Sequence, residues 1–323
     1  MSKKKILVTL QPSLKELVHR HMERTLAEAG YEMKTRYSWD PLEEAEIKEA
    51  AGDVHGFIVG LEKVSPAVMD AAPNLKVVSK YGVGTDNIDI PAAMERGISV
   101  SNCPGSNSNA VAEVTVGLML NLARNVQNLC NDLRNKQFGV YVGSELAGKT
   151  VGILGFGNIG RKVASYLKPF GTRTLAYDLY QDRKAAEELG LQFASLEEIF
   201  AQADFISVHL PLTKETNHLV DMKLLSTVKP GLFLVNIARG GVVAEEALFQ
   251  AVQEGLVARA AVDVFEFEPP TGSKLLEDDR FIVTPHIGAG TLEATFNMAN
   301  MSMENVISVI EGKGNPHPVG GSK

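Results

Sequence analysis

Cysteine is scarce in this sequence, which has only Cys103 and Cys130 among 323 residues. Two thiols cannot build the disulfide framework of a small secreted protein, and they suit a reducing compartment. The first residues, MSKKKILVTL, lack the long apolar core and small-residue cleavage site of a signal peptide. No apolar run approaches the roughly 20 residues of a membrane-spanning helix. We therefore expect a cytoplasmic protein with no membrane partner.

Clustered positive charge is missing as well. The net charge is −7, and no long basic run interrupts the chain. Because nucleic-acid binding depends on neutralising phosphates with lysine and arginine, we expect no nucleic-acid partner. No cysteine and histidine spacing is typical of a zinc site, so we expect no metal. A length of 323 residues with 45% hydrophobic residues indicates a globular protein of two domains.

Short apolar runs alternate with helical patterns along the whole chain. The early runs are KILVTL at 5–10, GFIVG at 56–60 and LKVVSKYG at 75–82. Later runs include VGILG, DFISVHL, LFLVNIA, AAVDVF and FIVTPH. Their lack of polar alternation is typical of strands that are buried on both faces of a parallel sheet. The pattern predicts an α/β fold with two doubly wound parallel-sheet domains.

Two helical stretches bear on the domain organisation. Residues 106–130 carry few charges and are apolar nearly all round, which predicts one buried helix between the early and late strands. The final stretch, TLEATFNMANMSMENVISVIEG, follows the last strand. Its pattern alone is compatible with packing on either domain.

The stretch VGILGFGNIG at 151–160 has the spacing G-x-G-x-x-G between a strand and a helix. Gly155 allows the tight turn, Gly157 admits a pyrophosphate close to the backbone, and Gly160 lets the helix pack on the sheet. Asp178 follows about twenty residues later and can accept hydrogen bonds from a ribose diol. A carboxylate there would repel a 2′-phosphate, so the sequence predicts NAD rather than NADP as the cofactor.

Charged side chains follow several of the later strands, where open α/β sheets bind their ligands. They are Arg239, Asp263, Glu266, Glu268, His286 and His209. Oxidation of a hydroxy acid needs a base, a cation to hold the substrate and a carboxylate to orient the base. Spacing cannot choose between His209 and His286 as the base. It also cannot choose between Glu266 and Glu268 as the orienting carboxylate.

Six motifs, taken in order, resemble those of the D-isomer-specific 2-hydroxyacid dehydrogenases of the phosphoglycerate dehydrogenase type. They are YGVGTDNID at 81–89, ELAGKTVGILGFGNIGRKVA at 145–164, HLPLTKET at 209–216, KPGLFLVNIARGGVV at 229–243, DVFEFEPP at 263–270 and TPHIGAG at 284–290. The resemblance covers nearly the whole chain. It implies an enzyme that transfers a hydride between NAD(H) and a D-2-hydroxy acid or its 2-keto acid.

The resemblance also implies a role for each motif. His286 would exchange the proton, Glu268 would hydrogen-bond its ring and Arg239 would hold the substrate. The cofactor would be bound by a larger group of residues, which is Gly155, Gly157, Asn158, Ile159, Gly160, Asp178, His209, Pro211, Ala238 and Asp263. The backbone of Gly82, Val83 and Gly84 can form a nest for a carboxylate, and Lys80 precedes it.

The domain order follows from the same resemblance. A flavodoxin-like substrate domain would comprise residues 1–102 and 290–323, with a Rossmann NAD domain at 103–289 inserted between them. The long helix near 106–130 would join the domains and pack a homodimer. The chain ends soon after its final helix, so we expect a short form without a regulatory domain.

The substrate is the least defined part of the prediction. The resemblance favours 3-phosphoglycerate and 3-phosphohydroxypyruvate, and therefore serine biosynthesis. Phosphoglycerate dehydrogenases often have a phosphate-binding arginine after the strand equivalent to GFIV, where this chain has Gly60, Leu61 and Glu62. Lys63 and Lys80 are possible replacements. Hydroxypyruvate or glyoxylate reduction is the alternative, and an NAD-sensing corepressor is an alternative of another class.

Overall fold

The computed structural model describes residues 3–320. The chain divides into two compact units. The first combines the residues up to Asn107 with those from Gly290 onward, and the second is Ser108–Ala289. Both are α/β units built on parallel sheets, so the predicted fold class is confirmed.

The first unit begins with five strands and their connecting helices. These elements are β1 (Lys5–Leu10), α1 (Pro12–Glu28), β2 (Glu32–Tyr37), α2 (Glu44–Ala51), β3 (Gly56–Val59), α3 (Pro66–Asp70), β4 (Val77–Lys80), α4 (Ile90–Glu95) and β5 (Ser99–Ser101). The strands pair in parallel in the order β2-β1-β3-β4-β5, which is the flavodoxin-like order. Every residue of β3 is buried, as expected for a strand covered on both faces. The winding reverses between β1 and β3.

The second unit starts with two helices and continues as a longer alternation. Its elements are α5 (Ser108–Arg124), α6 (Val126–Arg134), β6 (Thr150–Leu154), α7 (Asn158–Leu167), β7 (Arg173–Tyr177), α8 (Arg183–Leu189), β8 (Gln192–Phe193), α9 (Leu196–Gln202), β9 (Phe205–Val208), α10 (Met222–Leu225), β10 (Leu232–Asn236), α11 (Glu245–Gln253), β11 (Val257–Val262) and β12 (Phe281–Val283). Single 3₁₀ turns lie at Lys168–Phe170, Gly240–Val242 and Lys274–Leu276.

The second sheet is also parallel, in the order β12-β11-β10-β9-β6-β7-β8. Counted from β6, this is the Rossmann order with one further strand. The strand order reverses between β6 and β9, so the carboxyl ends of these strands border the expected ligand crevice. The glycine turn follows β6, and His209 follows β9.

The predicted helix at 106–130 is two helices, which corrects the sequence analysis. Asn125 adopts a left-handed conformation with φ of 53° and separates α5 from α6. Asparagine tolerates this conformation better than most residues. Helix α5 packs on α7 and β10, and its Met119 and Leu122 are fully buried. Helix α6 has no buried residue, so the burial predicted for the whole stretch holds only for α5.

The final helix, α12 (Leu292–Ile310), packs on α1, β3 and β4 in the first unit. A Cβ on Gly56 would lie 2.4 Å from Val306 Cγ1, which shows how closely the helix approaches β3. Buried Asn305 donates to Ser79 Oγ and to the Asn102 carbonyl oxygen. No helix within residues 3–320 is long and apolar enough to cross a membrane.

Candidate active site

The glycine turn between β6 and α7 has the backbone that its spacing predicts. Gly155 has φ of 102°, and a Cβ there would lie 2.7 Å from the His209 carbonyl carbon. Gly157 is the N-cap of α7. A Cβ on Gly160 would lie 2.0 Å from the Gly155 oxygen, so only glycine permits this contact between helix and turn. The first N–H groups of a helix, and its positive dipole end, are suited to a pyrophosphate.

Asp178 lies directly after β7 and ties that strand end to the glycine turn. Phe156 N donates to its Oδ2 at 2.7 Å, and Tyr180 N donates to its Oδ1 at 2.9 Å. The carboxylate therefore has a structural function in the turn. Its lone pairs exceed these two bonds, so a ribose diol can still be accommodated. Binding of the ribose stays a prediction.

His209 lies after β9 in a confined position. Its Nε2 is 3.0 Å from Ser207 Oγ, and its Nδ1 is buried without a hydrogen-bond partner among residues 3–320. Burial lowers the pKa of this imidazole to about 3, so the ring is neutral near pH 7. Pro211 follows two residues later, and its carbonyl oxygen accepts from Thr216 Oγ1 at 2.6 Å. A neutral, desolvated ring is poorly suited to exchanging a proton at neutral pH.

His286 and Glu268 form a close pair of titratable groups at the carboxyl edge of the second sheet. Nδ1 of His286 lies 2.9 Å from Oε2 of Glu268. The imidazole side chain is 44% exposed, so it remains accessible. Burial raises the pKa of Glu268, but the hydrogen bond and charge of His286, the Phe265 N–H and the charge of Arg239 together lower it. The carboxylate of Glu268 is therefore held in its charged form next to the ring.

Arg239 follows β10 on a turn that is held from two sides. The Asn236 side chain donates to the Arg239 carbonyl oxygen at 3.1 Å and accepts from Ala238 N at 3.3 Å. A Cβ on Gly240 would lie 1.9 Å from the Phe265 carbonyl carbon. The turn that carries Arg239 is therefore in direct contact with the segment that carries Glu268. Arg239 Nη1 donates to the Ala238 carbonyl oxygen at 2.7 Å.

Asp263 organises the loop of His286. Its Oδ1 accepts from Thr284 Oγ1 at 2.5 Å and from Ile287 N at 2.8 Å, and its Oδ2 accepts from Gly288 N at 2.9 Å. The Asp263 carbonyl oxygen also accepts from His286 N at 2.9 Å. His286 itself adopts φ of 51°, which these contacts maintain. The predicted contact between Asp263 and the cofactor stays a prediction.

The other glutamate of the motif has a different partner. Glu266 Oε1 lies 3.1 Å from His218 Nε2 and accepts from Glu245 N at 3.0 Å. Glu245 Oε1 in turn accepts from Glu266 N at 2.5 Å. This reciprocal arrangement clamps the segment before Glu268 to the start of α11. A cavity of about 270 Å³ is lined by this clamp and by Phe249 among others, but not by His286 or Glu268.

The loop after β4 in the first unit carries the residues predicted to bind substrate. Gly82 has φ of 142°, and its carbonyl oxygen accepts from Cys103 N at 2.8 Å. The Val83 carbonyl oxygen accepts from Asn102 Nδ2 at 2.7 Å. Lys80 donates to the Gly60 carbonyl oxygen and, at 3.0 Å, to Asn87 Oδ1. In a trans peptide the N–H points away from the C=O. Because the Gly82 and Val83 carbonyl oxygens are anchored, the N–H groups of Val83 and Gly84 point to the opposite side of the loop.

A family model described as D-isomer specific 2-hydroxyacid dehydrogenase, NAD binding domain, matches residues 116–288, just over half of the chain. The chain belongs to the D-isomer specific 2-hydroxyacid dehydrogenases. The dehydrogenase is 41% identical to the hydroxypyruvate reductase of Thermotoga maritima over 259 residues, which are 78% of this chain and 84% of that protein. The family assignment from sequence is therefore confirmed.

Two further similar proteins differ in their named activity and in how much of them the chain covers. The D-3-phosphoglycerate dehydrogenase of Methanocaldococcus jannaschii is 41% identical over 254 residues, which are 78% of this chain but 48% of that protein. The chain thus spans about half the length of this relative. A glyoxylate reductase from Paecilomyes thermophila has a solved structure that covers 99% of both chains with a TM-score of 0.87 and 28% identity.

The cofactor of the dehydrogenase is NAD. The residues present fit it, because Gly155 and Gly160 permit the tight turn, and no atom of residues 3–320 beyond its chain neighbours lies within 4 Å of a Cβ position on Gly157, which leaves space for a pyrophosphate. The Nδ1 of His209 is a buried polar atom that lacks a partner among the described residues. Such an atom next to the glycine turn is consistent with a ligand at this crevice.

Sequence reasoning missed several residues that support the site of the dehydrogenase. Asn236, Thr284 and Glu245 hold the loops of Arg239, His286 and Glu268, with Glu245 acting through its contact with the candidate residue Glu266. Thr284 stands inside a quoted motif, and Asn236 is a polar residue at the end of a buried strand, so both carried a signal. Glu245 carried none, because its contact spans 21 residues.

Proposed function

We propose that His286 donates a proton to the carbonyl oxygen when the enzyme reduces a 2-keto acid, and accepts it in the reverse oxidation of a D-2-hydroxy acid. The supporting observation is the 2.9 Å contact between His286 Nδ1 and Glu268 Oε2. NAD supplies or accepts the hydride when it is bound. A histidine with an oriented ring and a carboxylate neighbour is suited to general acid and base catalysis.

The remaining residues have complementary roles in this proposal. Glu268 accepts a hydrogen bond from the Nδ1–H of His286, which leaves Nε2 to contact the substrate. Arg239 binds the substrate carboxylate or its carbonyl oxygen, for which a planar guanidinium is well suited. The N–H groups of Gly82, Val83 and Gly84 in the first unit form a nest suited to a substrate carboxylate, with Lys80 adding positive charge. The first unit is thereby the substrate domain and the second unit the NAD domain.

The proposed cofactor contacts follow the Rossmann pattern. The pyrophosphate is bound at the glycine turn and the first turn of α7, and the ribose by Asp178. The turn residues are Gly155, Gly157, Asn158, Ile159 and Gly160. His209 and Pro211 line the adenosine side. Ala238 and Asp263 lie toward the nicotinamide.

Two substrate pairs have support from relatives. The phosphorylated pair, 3-phosphoglycerate and 3-phosphohydroxypyruvate, matches the resemblance found in the sequence and the phosphoglycerate dehydrogenase relatives. Of the unphosphorylated substrates, hydroxypyruvate matches a relative of which the chain covers 84%, and glyoxylate matches the glyoxylate reductase of similar structure. Both groups of substrates require the same proton transfer and the same binding of a carboxylate.

A scan of 2-keto acids with NADH tests the proposal. Hydroxypyruvate, glyoxylate, 3-phosphohydroxypyruvate and pyruvate are compared by kcat/KM, and chiral chromatography identifies the product. We expect turnover of at least one of them and formation of the D isomer from the chiral cases. Tight NADH binding without turnover of any 2-keto acid would contradict an enzymatic function and favour an NAD-sensing protein.

We infer further that the protein is a homodimer in which α6 and the segment after it lie at the interface. Phe138, Val140 and Val142 are each about 90% exposed in the single chain. Three neighbouring apolar side chains in water are typical of an interaction surface. Sedimentation velocity is expected to give twice the monomer mass for the wild type. A wild-type monomer at micromolar concentration would contradict the dimer.

A further inference from the structure

A buried carboxylate closes the switch point of the first sheet. Open α/β sheets bind ligands outside the carboxyl ends of their strands, at the point where the winding reverses, which here lies between β1 and β3. Glu62 follows β3 by three residues and is only 3% exposed. Thr9 Oγ1, in β1, donates to Glu62 Oε2 at 2.6 Å. One hydrogen bond thus spans the two strands that define the switch point.

The backbone around Glu62 holds this carboxylate in place. A Cβ on Gly60 would lie 2.9 Å from the Thr9 carbonyl oxygen and 3.6 Å from Glu62 Oε2. The Asn87 side-chain amide donates to the carbonyl oxygens of Gly60 at 3.2 Å and of Glu62 at 2.6 Å. The carboxylate therefore has little room to turn away from a ligand at this edge.

The neighbouring strand end carries the opposite charge. Lys80, the last residue of β4, donates to the Gly60 carbonyl oxygen. Its Cε lies 3.7 Å from the position of a Cβ on Gly82. The ammonium and the carboxylate thus both lie next to Gly60, the ammonium at its carbonyl oxygen and the carboxylate 3.6 Å from the position of a Cβ. The ammonium lies on the side of the loop that we propose to bind the substrate carboxylate.

The charges of Glu62 and Lys80 would distinguish 2-keto acids that carry a phosphate from those that do not. A 2-keto acid brings one carboxylate, which suits the Lys80 side. A phosphate on the third carbon adds about 1.5 to 2 further negative charges near pH 7. The buried carboxylate of Glu62 would repel a phosphate bound at this edge of the sheet, because buried charges are weakly screened. A hydroxyl on the third carbon can instead donate a hydrogen bond to a carboxylate.

We propose that Glu62 is a specificity-determining residue that restricts the dehydrogenase to small 2-keto acids without a phosphate on the third carbon. Hydroxypyruvate and glyoxylate belong to this class, and 3-phosphohydroxypyruvate does not. The inference rests on the proposed function, since it concerns the substrate of the same reaction. It deepens that function by choosing between its two substrate pairs.

The test compares kcat/KM for hydroxypyruvate and 3-phosphohydroxypyruvate, with NADH, in the wild type and in Glu62→Gln. The wild type is expected to prefer hydroxypyruvate by at least about tenfold, and the variant to lose about tenfold of that preference. The change should reside mainly in KM for the phosphorylated substrate. Glutamine keeps the shape and can still accept from Thr9, so the substitution removes mainly the charge.

Glu44→Gln is the matched control, because Glu44 Oε2 also accepts from a hydroxyl, that of Ser65, at 2.6 Å. It lies on α2, away from the switch point, and should leave the preference unchanged. If Glu62→Gln does not fold, the double variant Thr9→Val with Glu62→Met replaces both partners of the hydrogen bond by apolar groups of similar shape. That variant should also lose the preference.

Each outcome decides between the two proposals. A wild-type preference for 3-phosphohydroxypyruvate overturns the assignment of Glu62 but leaves the proposed dehydrogenase function intact. A preference for hydroxypyruvate that survives in the Glu62 variants, or an equal change in Glu44→Gln, overturns it as well. Failure of the wild type to reduce any 2-keto acid overturns the proposed function itself, and the inference with it.

Discussion

The loops after β9 and β12 each present a histidine at the carboxyl edge of one sheet, but in opposite environments. His209 has an enclosed Nδ1 without a partner among residues 3–320, and burial lowers its pKa to about 3. His286 is 44% exposed, with a carboxylate 2.9 Å from its Nδ1. Burial keeps the His209 ring neutral, whereas the His286 ring is open to solvent and contacts a carboxylate. The surroundings of each ring, rather than the residue type or its place after a strand, therefore decide which histidine can exchange protons.

The largest effect is expected when each histidine is substituted in turn. His286→Ala is expected to lower kcat for keto-acid reduction by about 10²- to 10⁴-fold, because the proton donor is lost. His209→Gln should lose much less turnover and act mainly through KM for NADH. Steady-state kinetics with both substrates varied measures the two effects. Equal losses of kcat in the two variants would abolish the distinction.

The second prediction concerns Glu268, the carboxylate that contacts His286 and has no counterpart at His209. Glu268→Gln is expected to lower kcat/KM by roughly tenfold and to move the decline of keto-acid reduction to lower pH, because the protonated imidazole loses its stabilising charge. The matched control is Glu266→Gln, two residues earlier, whose carboxylate contacts His218 instead. Rate profiles between pH 5 and 9 measure the shift. A similar shift in the control, or none in Glu268→Gln, would exclude the pairing.

A third prediction concerns the cofactor side of the same edge. Asp178→Asn removes the charge but keeps an acceptor for the turn, so we expect kcat/KM for NADPH relative to NADH to rise by about tenfold. Asp182→Asn is the control, because its carboxylate caps α8 and pairs with Arg161. The ratio of kcat/KM for NADPH to that for NADH, measured with one keto acid, tests this prediction. An unchanged ratio in Asp178→Asn would reduce Asp178 to its structural contacts with Phe156 and Tyr180.

The smallest expected effect concerns folding. The pKa of His209 is about 3 in the folded protein and near 6.5 in an unfolded chain. As the pH falls below 6.5, the unfolded chain takes up a proton that the folded protein cannot, so stability is lost. We expect the wild type to lose about 1–3 kcal/mol more than His209→Gln between pH 6.5 and about pH 4. Urea unfolding followed by circular dichroism measures this, and parallel curves for the two proteins would contradict it.

The fold class could be predicted because it depends on local patterns. Strands such as Gly56–Val59 and Phe205–Val208 are buried on every residue, and their largely apolar runs indicate this directly. Local patterns were weaker for helices. The left-handed Asn125 that divides the predicted 106–130 helix has no strong sequence signal. The side covered by the final helix depends on long-range packing, as its contact with Gly56 shows.

The candidate site was predictable in its residue types and less so in its pairings. Spacing brought both histidines and both glutamates to strand ends, but only tertiary structure joins His286 to Glu268 and Glu266 to His218. The resemblance to known dehydrogenases named the first pair in advance. The contact of Thr9 with Glu62 spans 53 residues, and no local pattern could indicate it.

The central claim is that His286, and not His209, faces the reacting oxygen. A crystal structure with NADH and oxamate, an inert analogue of a 2-keto acid, tests this most directly. The account predicts His286 Nε2 within about 2.6–3.2 Å of the oxygen that replaces the keto group, with Nδ1 still on Glu268. An imidazole turned away from that oxygen, or His209 in its place, would contradict the account.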